Sequence, residues 1–336
     1  MANRRGRGAL SILLGALLSV FSIPVLASDQ LVVYSGRSDK FVKPVFEAFT
    51  DKTGIKVIIH SGKSTALLNK LRVEGPRTQA DLFISNDAGN LQIGTDLGLF
   101  SSLPSATLAA IPANLKAEDG SWVGLSARAR VLVVNTGKEM DWATSVFDLA
   151  DPRLKGRLAI THSANESFIA GVTVYMEEAG KAKTQAWLAG MKANVGTQVF
   201  NKHSKIVKAV ASGEKDVGLV NHYYIYRHLD KHPDAPIAIV LPDQDDMGVA
   251  WNVAGIAVSR YSKKQALAQK LVEFLISETG QRVFAEVNRE YPTRPGVAAA
   301  PQIPAAGSYK VADVPMSRLG SERSATLDLI ESVGMP

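Results

Sequence analysis

Three tyrosines fall within four positions of the stretch NHYYIYRHL, residues 221–229, in a chain that has 8 tyrosines in all. Phenol oxygens are hard donors, and a small, highly charged cation such as Fe³⁺ selects anionic oxygen over thiolate or thioether. A phenol with an ordinary pKa of ~10 ionises at neutral pH when such a cation binds it. Tyr223 and Tyr224 are therefore candidate metal ligands. The alternative is a set of core or interface aromatics whose hydroxyls are satisfied locally, as tyrosine clusters usually are.

A strand-to-helix turn is the element that would bring the two adjacent phenols together. The sequence DVGLVN is typical of a buried strand, and a helix is predicted to begin within the tyrosine stretch. In a continuing strand Tyr223 and Tyr224 would point to opposite faces, whereas at such a turn they can converge on one site. We therefore expect both phenols at the carboxyl end of a strand.

The first part of the chain predicts a parallel, doubly wound α/β sheet. Strands are indicated at 30–36, 55–62 and 80–87, and helices at 40–54 and 64–75. This β-α-β-α-β order implies parallel strands, and ligands of such sheets bind at the carboxyl ends of the strands. Those ends are residues 34–38, 60–64 and 85–87.

A second α/β region follows, and two long apolar segments, 123–136 and 248–259, are predicted to cross between the regions. The arrangement indicates a hinged, two-lobed binding protein with a cleft between the lobes. We assign residues 28–127 and 255–303 to lobe I, and residues 128–254 and 304–336 to lobe II.

The amino terminus predicts export. A basic segment, a short apolar core and small residues before Ala27 are typical of a cleaved signal peptide, residues 1–27, and this apolar core is too short for a membrane span. Removing its three arginines lowers the net charge from +6 to +3. A net charge of +3 is too small to indicate nucleic-acid binding. The chain has no cysteine, which excludes disulfides, thiolate metal sites and lipid attachment to a thiol. We expect a freely diffusing, monomeric periplasmic protein.

Several stretches resemble the periplasmic ferric-iron-binding proteins of ABC importers, which belong to solute-binding protein family 1. They are VVYSGR, FTDKTGIKV, ADLFISNDAG, LSARARVLVVNT, DLADPRLKGRL, GLVNHYY and GQRVFAEVNREYPTRP. The resemblance implies a type II, transferrin-like two-lobed fold, a binding function without catalysis, and an ABC permease and ATPase as partners. It also implies that Tyr223 and Tyr224 bind Fe³⁺ as the transported ligand.

The first-lobe ligands of that family have no counterpart here. Family members commonly place a His or a His-Tyr pair after the first strand, where this chain has Ser38 and Asp39. Some place a Glu where this chain has Asn86, and others a Tyr in the loop that here reads THSANES, residues 161–167. Tyr34 and Asp87 are possible first-lobe contacts, although neither matches a family motif.

An anion would complete the coordination of the iron, since related proteins bind carbonate or phosphate with it. Arg128 matches the family's crossing strand and is the first candidate, because guanidinium suits bidentate recognition of carbonate. A salt bridge between the lobes explains Arg128 equally well. Arg37 is a second candidate. Asn165 and Ser167 begin a helix whose amides would favour an anion, although plain N-capping explains them equally well.

One alternative function remains open: binding of a small anion or organophosphonate without metal. Arg37, Arg128 and loop amides would then bind the ligand, and the tyrosines would only form walls. The missing first-lobe ligands favour this alternative, and the intact tyrosine pair disfavours it. A secreted hydrolase has no support, because neither G-x-S-x-G nor H-E-x-x-H occurs in the chain.

Overall fold

The structure is a computed structural model that describes residues 29–336, so the predicted signal peptide lies outside the described residues. The strands of this range are β1 (Gln30–Ser35), β2 (Lys56–Ser61), β3 (Leu82–Ser85), β4 (Phe100–Ser101), β5 (Trp122–Asn135), β6 (Leu158–Ala159), β7 (Val217–Asn221), β8 (Ile237–Val240), β9 (Trp251–Ser259) and β10 (Tyr291–Pro292). The helices are α1 (Asp39–Thr53), α2 (Ser64–Glu74), α3 (Ala88–Asp96), α4 (Ser105–Leu108), α5 (Glu166–Ala179), α6 (Lys181–Val195), α7 (His203–Ala211), α8 (Tyr223–Leu229), α9 (Gln265–Leu275), α10 (Glu278–Asn288), α11 (Arg318–Ser321) and α12 (Arg323–Val333).

The first lobe has the predicted parallel core. Strand β1 pairs in parallel with both β2 and β3, which confirms the β-α-β-α-β prediction. Helix α1 buries Val42, Val45, Phe46 and Phe49 against this sheet, and it ends at Gly54 in the left-handed conformation, φ 74°, which glycine adopts without steric cost.

Two long strands connect the halves of the molecule. Strand β5 is buried at every residue. Its first part, residues 122–129, pairs antiparallel with β9, and its second part, residues 130–134, pairs antiparallel with β7. Strand β9 also pairs with β3 and β4. The two predicted crossings, 123–136 and 248–259, therefore coincide with β5 and β9, and the strongly curled sheet runs in the order β2-β1-β3-β9-β5-β7-β6.

The carboxyl-terminal helices contact both halves. Helix α12 packs against α5 and α6, whereas the short helix α11 packs against α3. The contact with α3 is close: a Cβ added to Gly89 would lie 2.6 Å from the carbonyl oxygen of Leu319, and one added to Gly320 would lie 2.4 Å from Cβ of Gln92. Residues 304–336, predicted for lobe II, thus also touch the first lobe; the boundaries between lobes stay a prediction.

Candidate functional site

The tyrosine pair lies where β7 ends and α8 begins. Asn221 is the last residue of the strand, and Tyr223 and Tyr224 are the first two residues of the helix. Their ring centroids are 4.4 Å apart, with 36° between the ring planes. The change from strand to helix removes the alternation of faces, so the two neighbouring side chains lie side by side.

His222 anchors this turn to the crossing strand. Its Nδ1 accepts a hydrogen bond from the Ala129 amide (3.1 Å), and its Nε2 donates to the Arg289 carbonyl oxygen (2.7 Å). Burial lowers the pKa of His222 to about 4, so the ring is neutral at pH 7. Because both nitrogens are engaged with the backbone, His222 positions the turn and offers no free donor to a ligand.

Tyr223 is buried and faces the first lobe. Its ring meets that of Phe41, on α1, edge to face at 6.3 Å between centroids. The guanidinium of Arg227 lies over both rings, 4.6 Å from Phe41 and 5.2 Å from Tyr223. The Asn221 side-chain amide approaches the Tyr223 hydroxyl at 3.5 Å. This stack links the tyrosine turn to lobe I.

Tyr224 is half-buried and stacks on His203, with ring centroids 5.1 Å apart. Burial raises the pKa of Tyr224, and the adjacent Tyr223 raises it further. Burial also lowers the pKa of His203, as do Arg130 and Arg128, so His203 is neutral at pH 7. Without a bound cation Tyr224 therefore stays protonated at neutral pH.

Both tyrosines line a cleft of about 660 Å³. One wall belongs to the predicted lobe I: Gly36, Gly62, Lys63, Ser64, Thr65, Ala66, Asn69 and Asn86. The opposite wall belongs to the predicted lobe II: His162, Ala164, Asn165, Glu166, Ser167, His203, Asn221, Tyr223, Tyr224 and Arg323. The cleft therefore joins the carboxyl ends of strands from both regions to the amino-terminal end of α5.

Two anion candidates reach this cleft, and a third lies behind its wall. Asn165 caps α5 by accepting a hydrogen bond from the Ser167 amide (3.0 Å), so N-capping is one of its roles. Both residues line the cleft. Arg128 is only 2% exposed and donates from Nη2 to the Asn86 carbonyl oxygen, beneath the first-lobe wall.

Three other predicted residues have partners elsewhere. Tyr34 donates its hydroxyl proton to Glu74 (2.8 Å). Arg37 forms a buried ion pair with Glu290 (2.7 Å). Asp87 caps α3 and accepts from the Asn252 amide (2.8 Å). None of the three lines the cleft that contains the tyrosine pair.

Glu166 and Arg323 reach the cleft although sequence reasoning did not single them out. Asn90, on α3, donates to Glu166 (3.4 Å), and Arg323 lies 3.5 Å from Asp87. Burial raises the pKa of Glu166 to about 7, and the nearby Asp87 adds to the rise. An acid in the first turn of a helix is ordinarily explained by the helix dipole, so Glu166 gave no distinct signal.

The polar groups of the cleft are two phenols, one carboxylate, two imidazoles, hydroxyls, amides and the cationic side chains of Lys63 and Arg323. Within residues 29–336, no group of three or more His, Cys, Asp or Glu side chains is arranged to hold a metal ion. None of the helices in that range combines the length and apolar character needed to cross a membrane.

The fold and the cleft together define the class of protein. Two α/β regions are joined by two crossing strands and have a polar cleft between them, which is the arrangement of a two-lobed binding protein.

The chain belongs to the bacterial extracellular solute-binding protein family, whose model matches residues 45–311. Members of this family bind and deliver solutes rather than transform them. Iron uptake protein A1 of Synechocystis sp. is 31% identical over 314 residues, covering 91% of this chain and 87% of that protein.

Two solved structures support the same conclusion. Iron-bound HitA from Pseudomonas aeruginosa has a TM-score of 0.85 at 30% identity, covering 91% of this chain and 100% of that one. Trichodesmium FutA in complex with iron and citrate has a TM-score of 0.83, also at 30% identity, with the same coverage. These matches confirm the resemblance to ferric-iron-binding proteins and the two-lobed fold predicted from the sequence.

Proposed function

We propose that this protein is the periplasmic substrate-binding component of a ferric iron ABC importer. The observation that carries the proposal is the pair of phenols, 4.4 Å apart between ring centroids, on the wall of a cleft shared by both lobes. Similar proteins bear names that refer to iron uptake or ferric iron binding. The protein would capture Fe³⁺ in the cleft and deliver it to a membrane permease driven by an ATPase.

Tyr223 and Tyr224 would each bind the ion as a phenolate. The charge of a bound Fe³⁺ favours ionised phenols, and it would offset the burial that raises the pKa of Tyr224. Carbonate or phosphate would fill further coordination positions, next to the amino-terminal end of α5 at Asn165 and Ser167. Arg128 would stabilise that anion from behind the wall.

Visible absorption spectroscopy tests directly whether the tyrosines bind iron. Apo-protein given ferric citrate should take up one iron per chain and develop a visible phenolate-to-iron absorption band. Tyr223→Phe or Tyr224→Phe should abolish or shift the band and weaken binding at least 100-fold, since each variant removes an anionic ligand. Tyr226→Phe is the matched control, because this third tyrosine of α8 does not line the cleft. Iron binding unchanged in the double Phe variant would refute the proposal.

The second candidate function is binding of a small anion or organophosphonate without metal. Lys63 and Arg323 on the cleft walls favour it. The same titration separates the two candidates, because an anion complex does not absorb visible light. A colourless protein that binds phosphate or a phosphonate in the absence of iron would establish the second.

A further inference from the structure

Helix α8 begins with the tyrosine pair and ends with a pair of histidines. His228 lies in the last turn of α8, and His232 lies four positions further along the chain. The amide of His232 donates a hydrogen bond to the carbonyl oxygen of His228 (2.9 Å), so the helical spacing continues past Leu229. Residues four apart in a helix lie on the same face, and the centroids of the two imidazole rings are 4.7 Å apart.

Both imidazole rings are accessible to a ligand. His228 is half-buried and His232 is exposed, and neither lines the cleft that contains the tyrosine pair. Within residues 29–336 neither ring forms a hydrogen bond or an ion pair, whereas both ring nitrogens of His222 are engaged with the backbone. Each neutral ring therefore has a nitrogen lone pair that is available to a metal ion.

The surrounding charges keep His228 unprotonated. Burial lowers the pKa of His228, and the neighbouring His232 and Lys208 lower it further, so this ring is neutral at pH 7. Asp230, between the two histidines in the chain, is paired with Arg289 (3.0 Å). Lys208 opposes a bound cation, whereas the carbonyl end of α8 favours one. The lone pairs of the two imidazoles would therefore provide most of the attraction for a metal ion.

We propose that His228 and His232 form a second metal site, which chelates one divalent late transition-metal ion. Imidazole suits copper, nickel and zinc, and Cu²⁺ should bind most tightly because it heads the usual affinity order of these ions. Water would fill the remaining coordination positions. Only two protein ligands take part, which agrees with the lack of any larger His, Cys, Asp or Glu group arranged for a metal within residues 29–336.

The histidine site differs in its chemistry from the cleft at the other end of α8. The phenols of Tyr223 and Tyr224 are hard oxygen donors, whereas the imidazoles of His228 and His232 are softer nitrogen donors, so the two sites favour different metal ions. A divalent ion that binds only the folded chain stabilises it, and the stabilisation grows with the concentration of the ion. The histidine site does not depend on iron, so it can be tested on the apo-protein.

Titration of the apo-protein with Cu²⁺ at pH 7 tests the site. One Cu²⁺ per chain should bind, and its electron paramagnetic resonance spectrum should show nitrogen ligands. His228→Gln and His232→Gln should each weaken binding at least about 10-fold, because either variant leaves a single imidazole and removes chelation. His60→Gln, in β2, is the matched control and should bind Cu²⁺ as the wild type does. Unchanged Cu²⁺ affinity in the variant that carries both His228→Gln and His232→Gln would overturn the proposal.

Thermal unfolding in Zn²⁺ provides a second, independent measurement. Zn²⁺ should raise the Tm of the wild type in a saturable manner, because it binds the folded state, and should leave the Tm of His232→Gln unchanged. Lys208→Gln should increase the Zn²⁺ effect, since it removes a positive charge near His228. Equal Zn²⁺ effects on the wild type and on His232→Gln would contradict the proposal. Because no iron is added, the result stands whether or not the cleft binds iron.

Discussion

Arg37 and Arg128 illustrate how differently two buried arginines are used in one chain. Arg37 has a carboxylate partner in Glu290 and also donates to Ser126 (2.8 Å). Arg128 has no such partner and lies next to the cleft. Arg128, which has no carboxylate partner, is therefore better placed than Arg37 to stabilise a bound anion.

Iron binding should depend on an added anion. Bicarbonate or phosphate should tighten binding about 10-fold or more, because the cleft supplies few anionic ligands, and Arg128→Ala should reduce this gain. Titration of iron in anion-depleted buffer, with and without each anion, measures the effect. If the wild type binds iron with the same affinity in every buffer, a synergistic anion is ruled out.

Glu290→Gln should destabilise the fold by roughly 3–5 kcal/mol, because it leaves the Arg37 charge buried and unpaired. Urea unfolding at pH 7 measures the change. Glu278→Gln, which breaks an exposed pair with Arg282, is the control and should cost under about 1 kcal/mol. A loss for Glu290→Gln no greater than that of the control would show that the Arg37–Glu290 pair adds little to stability.

The same pair predicts a pH dependence. Burial alone would raise the pKa of Glu290, but Arg37 and Ser126 hold it below its ordinary value. Its stabilisation is therefore present above the unfolded pKa, near 4.5, and is lost as the pH falls through the lower folded pKa. Wild type should lose more stability than Glu290→Gln on acidification from pH 5 to pH 3. Equal losses of stability in the wild type and in Glu290→Gln would show that other groups cause the acid sensitivity.

At the scale of elements, helix α11 joins the two halves outside the crossing strands. Its Arg318 forms an ion pair with Glu177 of α5 (2.7 Å), while its backbone packs on α3. Glycine at position 320 allows this close approach, because any side chain there would overlap α3. The carboxyl-terminal segment therefore constrains the same two helices, α3 and α5, whose first turns lie near the cleft.

Gly320→Val should destabilise the protein by about 1–3 kcal/mol through overpacking, since even a Cβ would lie 2.4 Å from Cβ of Gln92. Ser321→Ala, at the next and exposed position of α11, is the control and should change stability by less than about 0.5 kcal/mol. Thermal unfolding of both variants measures the difference. A Gly320→Val variant as stable as the control would mean that α11 moves freely away from α3.

At the scale of the molecule, contacts across the cleft connect the ligand site to the relative position of the lobes. Asn90 of α3 donates a hydrogen bond to Glu166 of α5, and Phe41 of α1 packs on Tyr223 of α8. A ligand shifts a conformational equilibrium only through its different affinities for the two states. An ion held by the second lobe alone would not close the cleft, so the first-lobe wall must contact the ion or its anion.

Iron should therefore compact the protein, which solution scattering would detect as a smaller radius of gyration. Replacing both Asn90 and Glu166 with Ala should leave the iron colour but weaken the compaction. Glu178→Ala, an exposed acid near the other end of α5, is the control. Iron binding without compaction in the wild type would show that the second lobe holds iron alone.

The sequence by itself determined the order of elements, the crossings and the strand-to-helix turn at Tyr223 and Tyr224. These features depend on neighbours in the chain: apolar periodicity, strand length, and a glycine such as Gly54 where the backbone must turn. The resemblance to iron-binding proteins depends on the same local stretches, so it too follows from the order of residues alone.

Only the tertiary structure decided which polar groups meet. Arg37 pairs with Glu290, 253 residues away in the chain, and Tyr34 with Glu74, 40 residues away, so neither is available to the cleft. Glu166 enters the cleft, and Arg128 and Arg130 line one small cavity between α5 and the crossing strands. A polar side chain takes whichever partner packing brings within hydrogen-bond distance, and burial then sets its charge. Those distances arise when segments far apart in the chain pack together, and no local pattern in the sequence encodes them.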